Sequence, residues 1–342
     1  MDMKKAISVA IALMLALSFF GCAKKEPSDE KQTLDSADLT KLTFALDWTQ
    51  NTNHTGLYVA KAKGYFEEAG LDVDIVYVDG DSSTQLVASG RAQFGVEFQD
   101  TLAAALATEE PLGVTAVAAI LQHNTSGIIS RKGDGIDSPG GLSGKRYSTW
   151  DSPIELSMLR SLVNADGGNW DSVTLIPNNI TDEAGALSAD QTDAVWIFYG
   201  WSGVNAKLRG FDADFFFFKD LDPTFDYYTP VIIGNNEYMA EHPDTARAFV
   251  SAVSRGYTYA ADHPEESAQI LIESDDTGAL AGDAELVRES QKWISAEYIS
   301  DASKWGVIDP ARWDAFYDWL NENGLTEKPL PHGCGFTNEY LG

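Results

Sequence analysis

The chain has 342 residues, 44% of them apolar and 11% aromatic, and a formal net charge of −28. That length and apolar content suffice for two ordinary domains and argue against a disordered chain. The charge argues against nucleic acid or an anionic membrane surface as a partner.

Lys4 and Lys5 precede an almost wholly apolar run, 6–20, that ends at Gly21-Cys22. The run is short for a membrane span and has the layout of an export signal, so residues 1–21 read as a signal peptide. Gly-Cys at its end resembles a bacterial lipoprotein signal. That likeness implies lipid on Cys22 and anchoring to the outer face of a bacterial cell membrane, or a periplasmic location. Residues 22–38 are polar and aperiodic, a flexible tether. The only other cysteine is Cys334, so no disulfide framework or thiolate metal site is available. No metal-ligand cluster, phosphate loop or Ser-His-Asp pattern stands out.

From residue 42 the pattern alternates. A strand is predicted over 42–46, a helix over 56–69 stopped by Gly70, and a strand over 71–75, which is the βαβ pattern of a parallel sheet. A helix at 83–89, a strand at 92–96, a helix at 101–108 and strands at 114–121 and 127–130 continue it. The Gly, Ser and Pro-rich stretch 133–144 reads as a hinge. A second α/β series opens at 145–150. Ser152-Pro153-Ile154-Glu155 then starts a helix, with Ser152 as cap and Glu155 completing a capping box. Strands follow at 173–176, 194–198, 215–218 and 230–233. Helices at 245–261, 264–272, 283–295 and 310–321 complete the chain. The fold class is therefore α/β, read as two lobes: one series before the Gly-rich stretch and one after it, followed by a helical return.

Ligands of open α/β sheets sit outside the carboxyl ends of strands. The connection from Asp47 to Tyr58 lies at such an end and carries Trp48, Asn51, His54 and Tyr58. Their flat faces and amide and imidazole edges suit a planar polar heterocycle. Glu97 follows the strand at 92–96, where its carboxylate can accept from ligand N–H groups or lie beside the next helix start. Trp150 and Asp151 occupy the matching place in the second lobe, with Glu155 either in the capping box or facing the cleft. Tyr199 and Trp201 follow the strand at 194–198 as stacking walls or inter-lobe packing.

Lys63-Gly64-Tyr65-Phe66-Glu67-Glu68-Ala69-Gly70-Leu71-Asp72-Val73, then Leu86-Val87-Ala88-Ser89-Gly90 and Phe94-Gly95, resemble the solute-binding proteins of ABC importers. The Asp47–Tyr58 stretch, Thr149-Trp150-Asp151-Ser152-Pro153 and Val195-Trp196-Ile197-Phe198-Tyr199-Gly200-Trp201 resemble the branch of that group related to thiamine-pyrimidine synthases. Gln50 departs from the proline usual there. The resemblance implies a type II periplasmic-binding-protein-like fold, with 39–130 and 231–342 as one lobe and 131–230 as the other, its cleft closing between lobes joined by crossover strands. It also implies a monomer that hands a thiamine pyrimidine precursor, of formylaminopyrimidine or hydroxymethylpyrimidine type, to a permease and its ATPase. No cofactor, catalytic residue or metal belongs to that role. Riboflavin is the alternative ligand. An enzyme using His54, Lys61 and pyridoxal phosphate is a third reading, weakened by the lack of a cysteine-rich motif.

Overall fold

The computed structural model describes residues 39–77, 80 and 82–342. The signal peptide, Cys22 and the tether to residue 38 lie outside them. The first lobe opens with β1 (Thr40–Ala45), helices α1 (Thr55–Ala62) and α2 (Tyr65–Glu68), and β2 (Leu71–Val76). It continues through α3 (Ser83–Ala88), β3 (Phe94–Glu97), α4 (Gln99–Leu106) and β4 (Val114–Ala119). The second lobe holds β5 (Ser126–Arg131), β6 (Arg146–Thr149), α5 (Pro153–Ala165), β7 (Thr174–Pro177), α6 (Glu183–Ser188), β8 (Ala194–Phe198), α7 (Val204–Leu208) and β9 (Ala213–Phe217). The chain returns through β10 (Val231–Asn235) to α8 (Asn236–Glu241), α9 (Pro243–Asp262), α10 (Pro264–Glu273), α11 (Ala279–Gly282), α12 (Ala284–Ile294) and α13 (Pro310–Glu322).

Among the described residues the strands form two five-stranded sheets, in the orders β2-β1-β3-β10-β4 and β7-β6-β8-β5-β9. β10 runs antiparallel to β3 and β4, and β5 antiparallel to β8 and β9. Each sheet thus carries one reversed strand, and that strand enters it from the other lobe. This is the two-lobed arrangement that the resemblance implies.

The lobe boundary differs from the sequence reading. The strand at 126–131 pairs into the second sheet, so it does not belong with 39–130. The Gly-rich stretch 133–144 is not the hinge: Lys145 Nζ donates to Asp134 O, and Asp166 accepts from Ser138 Oγ and Gly140 N, all within the second lobe. The connections between sheets are 120–125 and 218–230. The helix predicted over 56–69 is two helices, because Gly64 takes φ +72°, a left-handed turn that breaks the ladder.

The core of the first lobe gathers on α9. Phe249 stacks on Phe44, Phe66 and Phe94, with ring centroids 5.9, 5.8 and 4.2 Å away. Helices α1 and α9 meet closely enough that a Cβ on Gly256 would lie 2.0 Å from the Gly56 carbonyl oxygen. That approach brings Tyr257 under the connection that follows β1, where its hydroxyl donates to Asn53 O at 2.6 Å.

Candidate functional site

Strands β1 and β3 of the first sheet run parallel to each other, as do β6, β7 and β8 of the second. Their carboxyl ends open on one cavity of about 470 Å³ between the lobes. The connection after β1 supplies Asp47, Trp48, Asn51 and Asn53, and Phe98 follows β3. The second lobe adds Ser148 and Trp150 from the end of β6, and Asn178 to Thr181 from the connection after β7. Glu183 of α6, Val195 to Phe198 of β8, and Trp201 and Ser202 beyond it complete the wall.

The connection after β1 is held from below. Tyr298 donates its hydroxyl to Thr52 O at 2.6 Å, and Thr52 Oγ1 lies 2.6 Å from Ser290 Oγ. Ser290 of α12 also donates to Gly200 O of the second lobe. Asn51 caps the short turn at Thr52–His54, its Oδ1 accepting from Asn53 N at 2.8 Å while its Nδ2 donates to Thr49 O at 2.9 Å. His54 is fully buried. Its Nδ1 accepts from Asn51 N at 3.3 Å, so the ring proton sits on Nε2 and is donated to Asp47 Oδ1 at 2.7 Å. His54 therefore aims Asp47 at the cavity and does not line it.

Four of the predicted residues reach the wall: Trp48, Asn51, Trp150 and Trp201. Trp48 and Trp150 are 45% and 47% exposed, flat faces open to a ligand. Trp150 also leans on Trp196, centroids 5.6 Å apart. The other six do not reach it. Tyr58 packs among Ala268, Leu271, Leu280 and Val287, and burial, with Asp275 and Asp276 nearby, pushes its hydroxyl up to about 12. Glu97 is buried at the end of β3, accepting from the Thr84 hydroxyl and from Phe98 N at 2.9 Å. Burial, opposed by those two bonds, pushes its carboxyl up to about 7. Asp151 is exposed and takes φ +62°, turning the chain from β6 into α5.

Glu155 is a buried anchor. It accepts from Tyr147 Oη at 2.5 Å, Thr149 Oγ1 at 3.0 Å, Trp150 N at 3.1 Å and Ser152 N at 3.3 Å. The last bond is the reach-back of the capping box, and the third fixes the backbone that carries Trp150. Tyr199 faces the other way, against Phe215, Phe217 and Trp293. The π-helical turn Tyr199–Gly203 puts Trp201 and Ser202 on the cavity and Tyr199 behind it.

The electrostatics are one-sided. Among the described residues, Asp47 and Glu183 are the ionisable side chains on the wall, and neither lysine nor arginine is there. Burial raises the Glu183 carboxyl above the usual range, against the bond it accepts from Ser202 Oγ at 2.9 Å. Four tryptophans, 48, 150, 196 and 201, offer π faces. The arrangement can stack a flat ring and accept N–H bonds, and among the described residues it has no cationic side chain for an anion. No group of three or more His, Cys, Asp or Glu that could hold a metal occurs among the described residues.

A family model described as NMT1/THI5 like matches residues 51–267. Over 321 residues the chain is 27% identical to the formylaminopyrimidine-binding protein of Halalkalibacterium halodurans, covering 94% of this chain and 95% of that one. Over 328 residues it is 36% identical to the 4-amino-5-hydroxymethyl-2-methylpyrimidine phosphate synthase THI13 of Saccharomyces cerevisiae, covering 88% of each. Its fold is similar to that of the periplasmic aliphatic sulphonate binding protein SsuA from Escherichia coli, with a TM-score of 0.67 over 88% of this chain and 99% of that one at 14% identity. The match over most of the chain settles the family: this protein belongs to the NMT1/THI5-like family.

Proposed function

We propose that the chain is the ligand-capturing subunit of an ABC importer, and that its ligand is an unphosphorylated aminopyrimidine precursor of thiamine. The observation that carries this reading is the cavity itself. Tryptophan faces and two carboxylates meet at the carboxyl ends of two sheets, with no cationic side chain on the wall among the described residues. An aminopyrimidine offers a flat ring to the first and N–H donors to the second. The H. halodurans relative, named for binding a formylaminopyrimidine, supports the same ligand class. Lobe closure would exclude water and strengthen each polar contact.

A synthase reading fits the residues poorly. Pyridoxal phosphate needs a lysine to hold its aldehyde carbon and favours cations around its phosphate. Lys61 is exposed on α1 and does not line the cavity, and the wall is acidic. His54 has both ring nitrogens engaged. These residues favour binding without chemistry. Riboflavin stands as the second reading, because about 470 Å³ has room for more than one ring.

The test is calorimetric titration with formylaminopyrimidine, 4-amino-5-hydroxymethyl-2-methylpyrimidine and riboflavin. One-to-one binding of a pyrimidine without turnover is expected. Trp48→Ala should weaken it at least tenfold, about 1.4 kcal/mol, with the fold retained because the ring is half exposed. An unchanged dissociation constant removes Trp48 from the site, and binding of riboflavin alone replaces the ligand. The proposed role also takes the protein out of the cytoplasm, held by lipid on Cys22. Cys22→Ser should move it from the membrane fraction to the soluble one, and retention on the membrane would overturn that anchor.

A further inference from the structure

Ser290 of α12 lies behind the cavity and is bonded to both lobes. Ser290, Thr52 in the first lobe and Gly200 in the second are all buried, and none of them lines the cavity. Ser290 Oγ is 2.6 Å from Thr52 Oγ1 and is bonded to Gly200 O. Proton counting fixes the direction of both bonds. A carbonyl oxygen only accepts and a serine hydroxyl has one proton, so Ser290 donates to Gly200 O and Thr52 donates to Ser290 Oγ. A directed chain thus runs from the connection after β1, through α12, to the π-helical turn after β8. Its two ends are held differently. On the first, Tyr298 donates to Thr52 O, Tyr257 to Asn53 O, and Thr55 Oγ1 to Gln291 Oε1 of α12, each at 2.6 Å. The helix is therefore tied to the first lobe without Ser290. On the second, the turn Tyr199–Gly203 puts Trp201 and Ser202 on the cavity, and Ser202 Oγ donates to Glu183 Oε1 at 2.9 Å. Trp201 also packs against the first-lobe cluster of Leu271 and Val287. The helix comes close to this turn because residue 200 has no side chain: a Cβ there would lie 3.1 Å from Trp293. Such π-helical turns are rare and are frequent at functional sites.

We infer that Ser290 is a positioning residue for the ligand site. It sets the place of Trp201 and Ser202 relative to the loop that carries Trp48 and Asn51, and it does so across the two lobes. A flat ligand that touches both lobes depends on the spacing of its walls, and walls fixed in advance spare it the cost of ordering them. Removing the Ser290 hydroxyl leaves α12 anchored through Gln291 but takes the donor away from Gly200 O, so the π-helical turn loses a fixed point. The effect then falls on Trp201, the next residue in the chain. The inference rests on the reading of this cavity as the ligand site, and it adds to that site a residue that touches no ligand.

The experiment uses the full-length chain and its variants Ser290→Ala, Thr52→Val, Gly200→Ala, Trp201→Ala and the double change Ser290→Ala with Trp201→Ala. Each is titrated with 4-amino-5-hydroxymethyl-2-methylpyrimidine and with riboflavin, at a temperature well below its own unfolding midpoint. Ser290→Ala should weaken binding about fivefold, the net worth of one hydrogen bond. Thr52→Val should cost less, because Ser290 still donates to Gly200 O when its own donor is gone. Gly200→Ala forces the turn and Trp293 apart and should weaken binding too, which keeps the test open if Ser290→Ala does not fold. In the Trp201→Ala background, Ser290→Ala should cost less than about twofold, because the side chain it positions is already absent and residues acting as one unit are non-additive. Native affinity in Ser290→Ala or in Gly200→Ala would overturn the inference alone. So would equal losses from Ser290→Ala with and without Trp201, which mark a general weakening of the fold. A larger loss in Thr52→Val than in Ser290→Ala would also overturn it, by placing the effect in the loop after β1. A native chain that binds neither probe would overturn the reading of the cavity, and this inference with it.

Discussion

Glu97 sits at a strand end that points to the cavity, yet its carboxylate is turned inward to the Thr84 hydroxyl and Phe98 N. Burial holds its folded pKa near 7, above the ordinary value of about 4.5. The sign follows from proton counting. The folded state binds the proton more tightly, so the stability contributed by this group is full below about pH 4.5 and is lost as pH rises to about 7. Glu97→Gln keeps a neutral side chain at every pH. Melting temperatures followed from pH 4.5 to 7 should fall less steeply for the variant than for the native chain. Parallel curves would show that the carboxyl is ionised throughout and that its burial is paid for elsewhere. The position of Glu97 was legible in the sequence, but its direction was not. Strand-end logic finds the connection, whereas a rotamer set by Thr84, thirteen residues away, decides which side the carboxylate takes. The same gap hid Ser148 and Trp196, which read as ordinary strand residues in the sequence and line the cavity in the structure. Asn178 to Thr181 could have been found, because they follow a predicted strand in the way that Trp48 and Trp150 do.

At the scale of elements, the two crossovers are tied to each other. His123 lies in 120–125, and Asp226 in 218–230. His123 Nδ1 meets Asp226 Oδ2 at 2.7 Å, and its Nε2 meets Asp301 Oδ1 at 3.1 Å. Asp226 Oδ1 accepts from Asn124 N at 2.9 Å, and Arg312 of α13 approaches the same carboxylate at 3.7 Å while donating to Gln122 O. With both ring nitrogens facing carboxylates, the doubly protonated ring is favoured. The Asp226 bond raises the His123 pKa, against partial burial and Arg312. A raised histidine stabilises fully below its unfolded value of about 6.5, and that stability is lost as pH climbs through the folded value. His123→Gln should therefore flatten the decline in melting temperature above about pH 6.5, a window mostly beyond that of Glu97. A native chain with no decline there would show that the tie does not depend on charge. The sequence suggested a hinge at 133–144 because glycine and serine mark flexible loops. The structure instead joins the two sheets through 120–125 and 218–230, where polar side chains from distant parts of the chain meet, a pairing that no local composition reports. By contrast, the strands and helices that build both sheets were legible, because burial on one face imposes a period that the sequence must carry.

Across the whole molecule, acidic residues outnumber basic ones by 52 to 24. Several ion pairs join two exposed side chains, such as Arg209 with Asp182 and Lys328 with Glu109, and such pairs offset little of the excess. The remaining carboxylates repel one another in the compact state and less so in the expanded chain, so self-repulsion opposes folding. Salt weakens that repulsion: the screening length falls from about 30 Å at 10 mM to about 3 Å at 1 M. Local ion pairs are screened too and act in the opposite direction, but a net charge of −28 leaves repulsive pairs in the majority. The melting temperature should therefore rise by several degrees as sodium chloride is raised from about 10 mM to about 1 M. The rise should be concentrated in the lower part of that range, where screening changes the reach of exposed charges most. A rise confined to the highest concentrations would instead mark a salting-out effect on apolar burial, which continues to grow with salt. A midpoint that falls on adding the first 100 mM would mean that attractive pairs dominate, and would assign the acidic excess to regions that do not face one another across the fold. The same field bears on the ligand. A polyanion approaching the cavity meets repulsion from the surface before it meets Asp47 and Glu183, and a neutral or cationic heterocycle does not. Low salt should thus leave the association rate of an aminopyrimidine unchanged or faster, and slow that of its phosphate ester.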